Sequence, residues 1–108
     1  MAHYIQIMTT TKDEEEADRI AQNLLDNRVA ACVQVFGPIR SKYWWRGKIE
    51  EAKEWVCMIK GKSSDYPKIE KLIKEIHSYE VPEILAFSIS DGNKEYLKWI
   101  DGETTGKR

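Results

Sequence analysis

The chain has 108 residues, of which 42% are hydrophobic and 32% are charged, and its formal net charge is −1. This composition predicts a single globular domain over residues 1–108 and argues against disorder, while the balanced charge argues against a nucleic-acid partner held by broad positive charge. No apolar run approaches the ~20 residues of a membrane span, and the first residues lack a secretory signal pattern, so we expect a cytoplasmic protein with no membrane partner.

The first predicted strand, His3–Thr9, alternates two isoleucines with Tyr, Gln and Met, as a half-buried strand does. Capping oxygens follow, Asp13 among them, and then the acidic run Glu14–Glu16, which suits the positive end of a helix dipole. Apolar residues at helical spacing extend the predicted helix to about Asn27. A metal site is the alternative for the acidic run, but capping explains it more simply.

A long hairpin is predicted next, with one arm over Val29–Trp45, a turn at Arg46-Gly47 and a second arm over Lys48–Lys60. Gly37-Pro38 interrupts the first arm. Because proline cannot donate to a strand ladder and glycine tolerates unusual backbone angles, this pair predicts a bend or bulge.

Both cysteines lie in this hairpin. A two-residue turn would place Cys32 opposite Gly61 and Cys57 opposite Phe36. The thiols would then lie several residues out of register, so we expect them to be reduced and to pack as small apolar side chains.

Three aromatic residues lie beside the turn, where a lone hairpin would expose them. A compact domain of this length has a radius of gyration of ~13 Å, whereas a dozen strand residues at ~3.3 Å each span about 40 Å. The hairpin should therefore project from its own subunit. Since an aromatic arm in water is a liability unless a partner covers it, we expect the chain to form an oligomer through Tyr43, Trp44 and Trp45.

The rest of the chain predicts a helix over Tyr66–His77, a strand over Ile84–Ser90, a short helix capped by Asn93 and a frayed tail over Glu103–Arg108. The order is β-α-β-β-α-β plus the short C-terminal helix. That order is typical of the ferredoxin-like split βαβ arrangement, an α+β fold with a four-stranded antiparallel sheet. Right-handed crossovers place the first two helices on one face of the sheet.

Four motifs occur in order and at the separations of a known family: Ala30–Val33, Tyr43–Glu50, His77–Ile84 and Tyr96–Trp99. On these motifs the chain resembles the CutA divalent-cation tolerance proteins over nearly its whole length. The resemblance implies a ferredoxin-like subunit, a tight homotrimer and a shape akin to the nitrogen-regulatory PII proteins. It also implies a role in tolerance to divalent metals, copper especially.

The copper site proposed for some bacterial relatives uses a cysteine at the end of the first strand and a histidine pair after the second helix. The resemblance places Thr9 at the cysteine position and Ile76-His77 at the pair. An imidazole with a threonine hydroxyl is a poor ligand set for Cu(I), which prefers thiolates and thioethers. This chain is therefore not expected to hold that particular site.

His77 is still a candidate metal ligand, together with Glu80 and Glu83 on either side of Pro82. These side chains offer a nitrogen and hard oxygens suited to Zn²⁺ or another divalent ion such as copper. The alternative is structural, because a cationic ring at the end of a helix meets the negative end of the dipole. No metal is expected to be required for folding.

A second candidate site is a polar cleft between subunits, rimmed by Tyr43, Trp45, Glu54 and Lys60. Trp44 and Trp45 are expected to pack against neighbouring subunits. The alternative for the charged residues of the hairpin is a solvated face of surface ion pairs. Stacking of the tryptophans on nucleobases is disfavoured, because the strands lack the basic and aromatic pattern of an RNA-binding sheet.

The main functional hypothesis is a homotrimeric divalent-cation tolerance protein that binds a metal or another small ligand in a response to metal stress. The alternative is a PII-like trimeric signalling or interaction module without a metal role. An enzyme is not expected and no catalytic residue is assigned. Residue positions suggest no Ser-His-Asp or Cys-His pair, and Gly61-Lys62-Ser63 lacks the upstream glycine of a P-loop.

Overall fold

The structure, a computed structural model, describes residues 4–104. The described part is a mixed α+β fold and confirms the predicted ferredoxin-like order with its added C-terminal helix. His3 and the predicted tail beyond residue 104 lie outside the described residues. In chain order the elements are β1 (Tyr4–Thr11), α1 (Glu14–Asp26), β2 (Cys32–Trp45), β3 (Lys48–Lys62), α2 (Tyr66–Ile76), β4 (Ile84–Ser88) and α3 (Lys94–Glu103).

The four strands form one antiparallel sheet in the order β2-β3-β1-β4. Side chains alternate between the two faces of a strand, and one face of β1 and β3 carries the buried residues that meet α1 and α2. The hydrophobic core lies between this face and the two helices. The core includes Ile5, Ile7, Ala17, Ile20, Leu24, Cys57, Ile59, Ile69 and Ile73.

The third helix, α3, lies against the opposite face of the sheet. Gln6 and Lys60 alternate with the core residues of β1 and β3, and they share a small cleft with Tyr96 and the buried Ile100 of α3. None of the helices in residues 4–104 is long and apolar enough to span a membrane.

Two predicted caps begin their helices as expected. Asp13 accepts a hydrogen bond of 2.8 Å from the N–H of Glu16, and Asn93 accepts one of 2.9 Å from the N–H of Tyr96. These contacts satisfy donors that a helix start leaves without an internal partner. In the acidic run after Asp13, the first two glutamates are exposed but Glu16 is buried, so Glu16 has a further role.

The first arm of the hairpin begins later than predicted. Arg28 has a φ of 59°, a left-handed conformation that turns the chain after α1, and β2 begins only at Cys32. Val29 and Ala30 are buried in the connection, so the predicted start at Val29 is wrong. Gly61 allows this close passage, since a Cβ there would lie 2.7 Å from the carbonyl oxygen of Val29.

The bulge at Gly37-Pro38 shifts the register of the hairpin, as the glycine and the proline predict. It takes up one more residue in β2 than in β3. Cys32 therefore pairs with Lys60 and Cys57 with Val35, and the partners predicted from an unbroken hairpin are each wrong by one position. The two cysteines lie out of register with each other as predicted, and both thiols are free.

The turn at Arg46-Gly47 is confirmed, with φ angles of 51° and 80° that are typical of two-residue hairpin turns.

The molecule is elongated, with extents of 44, 26 and 22 Å. The hairpin tip is exposed, because Trp44 is 71% and Ile49 is 64% accessible. In residues 4–104, no strand pairs with the outer edge of β2. The predicted exposure of an aromatic arm is confirmed for the single subunit.

Candidate functional site

A cleft of about 760 Å³ opens between the outer half of the hairpin and the segment 78–83, which connects α2 to β4. The hairpin supplies aromatic and charged side chains, and segment 78–83 supplies further acidic and polar groups. Thr10, near the end of β1, completes the lining. The lining residues are Thr10, Ser41, Lys42, Tyr43, Trp44, Trp45, Glu54, Ser78, Tyr79, Glu80, Val81 and Glu83.

Segment 78–83 is tied to α1 by a buried carboxylate. Glu16 is 1% exposed, and it accepts two hydrogen bonds from Ser78, one from the main-chain N–H at 3.0 Å and one from the hydroxyl at 3.2 Å. Hydrogen bonds to a charged acceptor are stronger than neutral ones. The first turn of α1 therefore fixes the start of the segment that forms one wall of the cleft.

His77 fixes the same segment to β1. Its side chain is fully buried, its Nε2 lies 2.7 Å from the carbonyl oxygen of Thr10, and its Nδ1 accepts a hydrogen bond of 3.1 Å from the N–H of Tyr79. Because Nδ1 accepts this hydrogen bond, the proton is assigned to Nε2, which donates to Thr10. Nδ1 also lies 3.8 Å from Oε1 of Glu16. Both nitrogens are therefore engaged within the described chain, which leaves neither of them open to a metal ion in this arrangement.

Glu54 lies next to the bulge in β3 and is only 5% exposed. Its Oε2 accepts a hydrogen bond of 2.8 Å from the hydroxyl of Tyr79. Burial raises the pKa of Tyr79, and the hydrogen bond to Glu54 and the negative charge of Glu54 raise it further. The phenol therefore keeps its proton and acts as a donor that holds the Glu54 carboxylate in place.

Two more glutamates line the cleft from segment 78–83. Burial raises the pKa of Glu83, and the charge of Glu54 adds to the rise, which means that the two carboxylates repel each other. Glu80 is paired instead, since its Oε1 lies 3.1 Å from Nη2 of Arg46. That guanidinium also lies over the ring of Trp45, at 5.3 Å from the ring centroid. The cleft thus has a neutralised rim and an acidic interior.

The donor set of the cleft does not fit a soft or structural metal centre. In residues 4–104, no three His, Cys, Asp or Glu side chains come close enough to hold an ion. The described lining offers carboxylate oxygens but no thiolate or imidazole, so it fits neither Cu(I) nor a structural zinc. The site predicted from His77, Glu80 and Glu83 stays a prediction: the two glutamates line the cleft, and His77 lies behind it with both nitrogens occupied.

The cleft between subunits that was predicted from the hairpin stays a prediction, but three of its four residues line one cleft of the single subunit. Tyr43, Trp45 and Glu54 line it together, and Trp44 joins them. Lys60 lies apart, because six positions along an extended strand separate it from Glu54 by about 20 Å. It lines the second cleft, beside α3, and its ammonium group bonds to the side-chain oxygen of Gln34.

Sequence reasoning missed Tyr79 and Ser78, which connect the cleft to the core. Their contacts with Glu54 and Glu16 are long-range, and nothing in local spacing predicts such pairs. Their position in the sequence could have indicated a role, because they lie directly after His77 in the same motif as Glu80 and Glu83.

Comparison with known proteins agrees with this fold. Residues 5–103 match the family model described as CutA1 divalent ion tolerance protein. The chain belongs to this family. Among its relatives, the divalent-cation tolerance protein CutA of Archaeoglobus fulgidus is 45% identical over 95 residues, which cover 88% of this chain and 92% of the relative. The protein of the same name from Thermus thermophilus is 39% identical over 100 residues, which cover 93% and 96%.

Solved structures of CutA proteins share the architecture. The solved structure of the periplasmic divalent cation tolerance protein CutA from Archaeoglobus fulgidus matches with a TM-score of 0.92 at 42% identity. The match covers 94% of this chain and 99% of that one. The fold and the family predicted from the four motifs are therefore confirmed.

Proposed function

We propose that this chain is the subunit of a homotrimeric divalent-cation tolerance protein whose working site is the cleft beside the hairpin tip. The observation that carries the proposal is the exposed aromatic tip, which forms part of the cleft and continues the edge of β2 that no strand of residues 4–104 covers. Family membership supports the role in cation tolerance. The proposal includes no catalytic role, and a cytoplasmic location stays a prediction.

The hairpin supports self-association in two ways. The outer edge of β2 carries main-chain donors and acceptors that a second strand can satisfy. The tip carries Trp44 and Ile49, whose large exposed apolar surfaces are stabilised when a partner removes them from water. We place the tips and β2 edges of three copies around one axis, so that a neighbour covers the open side of each cleft.

The role of the tip is tested by replacing Trp44 and Trp45 together with Ser. We expect the assembly to dissociate at protein concentrations where the unmodified chain stays assembled, as measured by light scattering. Trp99→Ser is the matched control, because Trp99 is 42% exposed, close to the 38% of Trp45, but lies in α3. A double variant that assembles as well as the control would show that the tip does not hold the copies together.

For the cation role, we propose that Glu54 and Glu83 contact a hard divalent ion whose remaining ligands are water and groups of a neighbouring copy. Calorimetric titration with MgCl₂, ZnCl₂ and CuCl₂ tests this. Binding should weaken in Glu83→Gln but not in Glu75→Gln, since Glu75 is exposed on α2 and does not line the cleft. Absence of heat with all three ions would contradict the proposal.

A PII-like interaction module without a metal role is the second candidate. The 71% exposure of Trp44 favours it if the side chain stays uncovered in the assembled protein. Quenching of tryptophan fluorescence by iodide measures that accessibility. If iodide quenches the assembled protein much more strongly than its assembled Trp44→Phe variant, Trp44 is accessible. That result, together with no metal binding, would favour the interaction module.

A further inference from the structure

We propose that the cleft between the hairpin and segment 78–83 binds an organic cation, namely an ammonium or guanidinium group carried on a short carbon skeleton. The inference names the ligand class of the cleft and rests on the proposal that this cleft is the working site. Three independent features of the described residues lead to it: the charge of the lining, its aromatic character, and a cation of the chain itself at the rim.

The interior of the cleft carries negative charge that no cation of the described chain neutralises. Glu54 is only 5% exposed. Its one hydrogen-bond partner in residues 4–104 is the neutral hydroxyl of Tyr79, which donates to Oε2. Lys42, the one basic residue in the described lining, lies 3.9 Å from Glu51, which does not line the cleft. Burying a carboxylate without a counter-ion is costly. A bound cation would remove that cost.

The position of Glu54 and Glu83 in one cleft points the same way. Two carboxylates that share one cleft are each stabilised when a positive group is placed between them. A ligand with a positive group would therefore bind at the acidic interior and would contact both side chains.

The remaining lining offers an organic cation contacts beyond those with the carboxylates. Four aromatic side chains, Tyr43, Trp44, Trp45 and Tyr79, line the cleft beside the carboxylates. Aromatic faces attract ammonium and guanidinium groups and bury the carbon skeleton that carries them. The volume of about 760 Å³ lies in the usual range of small-molecule sites, ~300–1,000 Å³. The volume and the rings suit a ligand larger than the divalent ion proposed above, and the two would compete for Glu54 and Glu83.

The chain already places one organic cation in such a position. The guanidinium of Arg46 lies 5.3 Å from the ring centroid of Trp45 and 3.1 Å from the carboxylate of Glu80. This arrangement of ring, cation and carboxylate is at the rim of the cleft. The same two kinds of partner, aromatic ring and carboxylate, recur inside it as Tyr79 with Glu54, but there no basic side chain of residues 4–104 completes the arrangement.

The test is a calorimetric titration of the assembled protein with 1,4-diaminobutane, which is a dication at neutral pH, and with 1,4-butanediol, its neutral analogue of similar size. We expect saturable binding of the diamine and none of the diol. Glu54→Gln keeps an acceptor for Tyr79 but removes the charge, so it should weaken diamine binding by at least about tenfold. Glu75→Gln, on α2 and outside the cleft, should leave it unchanged.

Three results would overturn the inference: no diamine binding at millimolar concentration, equal binding of diamine and diol, or equal affinity of the diamine for Glu54→Gln and Glu75→Gln. Circular dichroism of each variant shows whether it is folded. If Glu54→Gln fails to fold, Glu83→Gln takes its place, because Glu83 is exposed enough to tolerate the change, and the same weakening is expected.

Failure of this inference is distinguishable from failure of the proposed function. A trimer that binds divalent ions but not the diamine would overturn the ligand class alone. A monomer that binds the diamine in a Glu54-dependent manner would support the ligand class and overturn the proposed assembly. A protein that binds neither the ions nor the diamine would overturn both statements about the cleft.

Discussion

The hydroxyl of Tyr79 donates a hydrogen bond of 2.8 Å to Oε2 of Glu54. This contact joins segment 78–83 to β3 in the lining of the cleft, while Glu16 and His77 hold the same segment to α1 and β1. The cleft therefore combines a fixed frame with a buried carboxylate that lacks a counter-ion among residues 4–104. The hydrogen bonds of the frame lead to predictions about stability, and the buried charge leads to a prediction about titration.

Replacing Tyr79 with Phe should lower the free energy of unfolding by about 1–3 kcal/mol, because Glu54 would stay buried and lose its donor. Urea denaturation at a fixed protein concentration measures the change. Tyr66→Phe is the matched control. Its hydroxyl donates to Glu70 at 3.2 Å, within one turn at the start of α2, and its loss should change stability by less than about 0.5 kcal/mol. Equal losses in the two variants would show that the cleft contact is not special.

Thr9 carries a buried hydroxyl that has no hydrogen-bond partner within the described part of the chain. Thr9→Val removes this group at nearly constant volume and should raise the free energy of unfolding by about 1–2 kcal/mol. Thr11→Val should lower the free energy of unfolding, because the Thr11 hydroxyl donates a hydrogen bond of 2.7 Å to the carbonyl oxygen of Asp13. Thermal denaturation of both variants measures these changes. A loss of stability in Thr9→Val would contradict the prediction for Thr9.

Glu83 should titrate above the ordinary range of a glutamate, because burial and the charge of Glu54 both raise its pKa. A carboxyl that binds its proton more tightly in the folded state contributes stability below its unfolded pKa, and this contribution is lost as the pH rises through the folded pKa. Carbon-detected NMR titration should show the Glu83 pKa fall part of the way in Glu54→Gln, since burial, the larger cause, remains. No change in that variant would mean that the two carboxylates do not interact.

Cys57 should resist thiol reagents. Burial raises its pKa to about 12, with the charges of Asp18 and Glu16 adding to the rise, so almost no thiolate exists at neutral pH. Cys32 is half-buried at the start of β2. We expect an aromatic disulfide reagent at pH 8 to modify one thiol in the native protein and two in guanidinium chloride. The native count should persist in Cys57→Ser and disappear in Cys32→Ser; labelling of Cys57 in the native state would contradict the prediction.

Local chemistry predicted the features of the hairpin that depend on a few adjacent residues. The turn at Arg46-Gly47 was predicted from the glycine, which adopts a positive φ readily. The bulge at Gly37-Pro38 was predicted because proline lacks a donor. The register beyond the bulge was wrong by one position. The number of residues that a bulge takes up depends on the packing of both strands, which Gly and Pro alone do not specify.

The candidate site was predicted in its parts but not in its connections. The aromatic residues and Glu54 stand out in the sequence by type and by their place near the hairpin tip. The contacts of His77 could not be predicted, because its ring is oriented by a main-chain carbonyl of β1 and a main-chain N–H two residues later. The partner of Glu54 is 25 residues away in the sequence, and only the folded chain brings Tyr79 to it.

The mass of the unmodified protein in solution tests the central claim most directly, since the cleft and the hairpin tip are interpreted as parts of a junction between copies. Light scattering at low micromolar concentration should give three times the subunit mass of 12.6 kDa. A homogeneous species of 12.6 kDa, with its tryptophans fully accessible to iodide, would contradict the account.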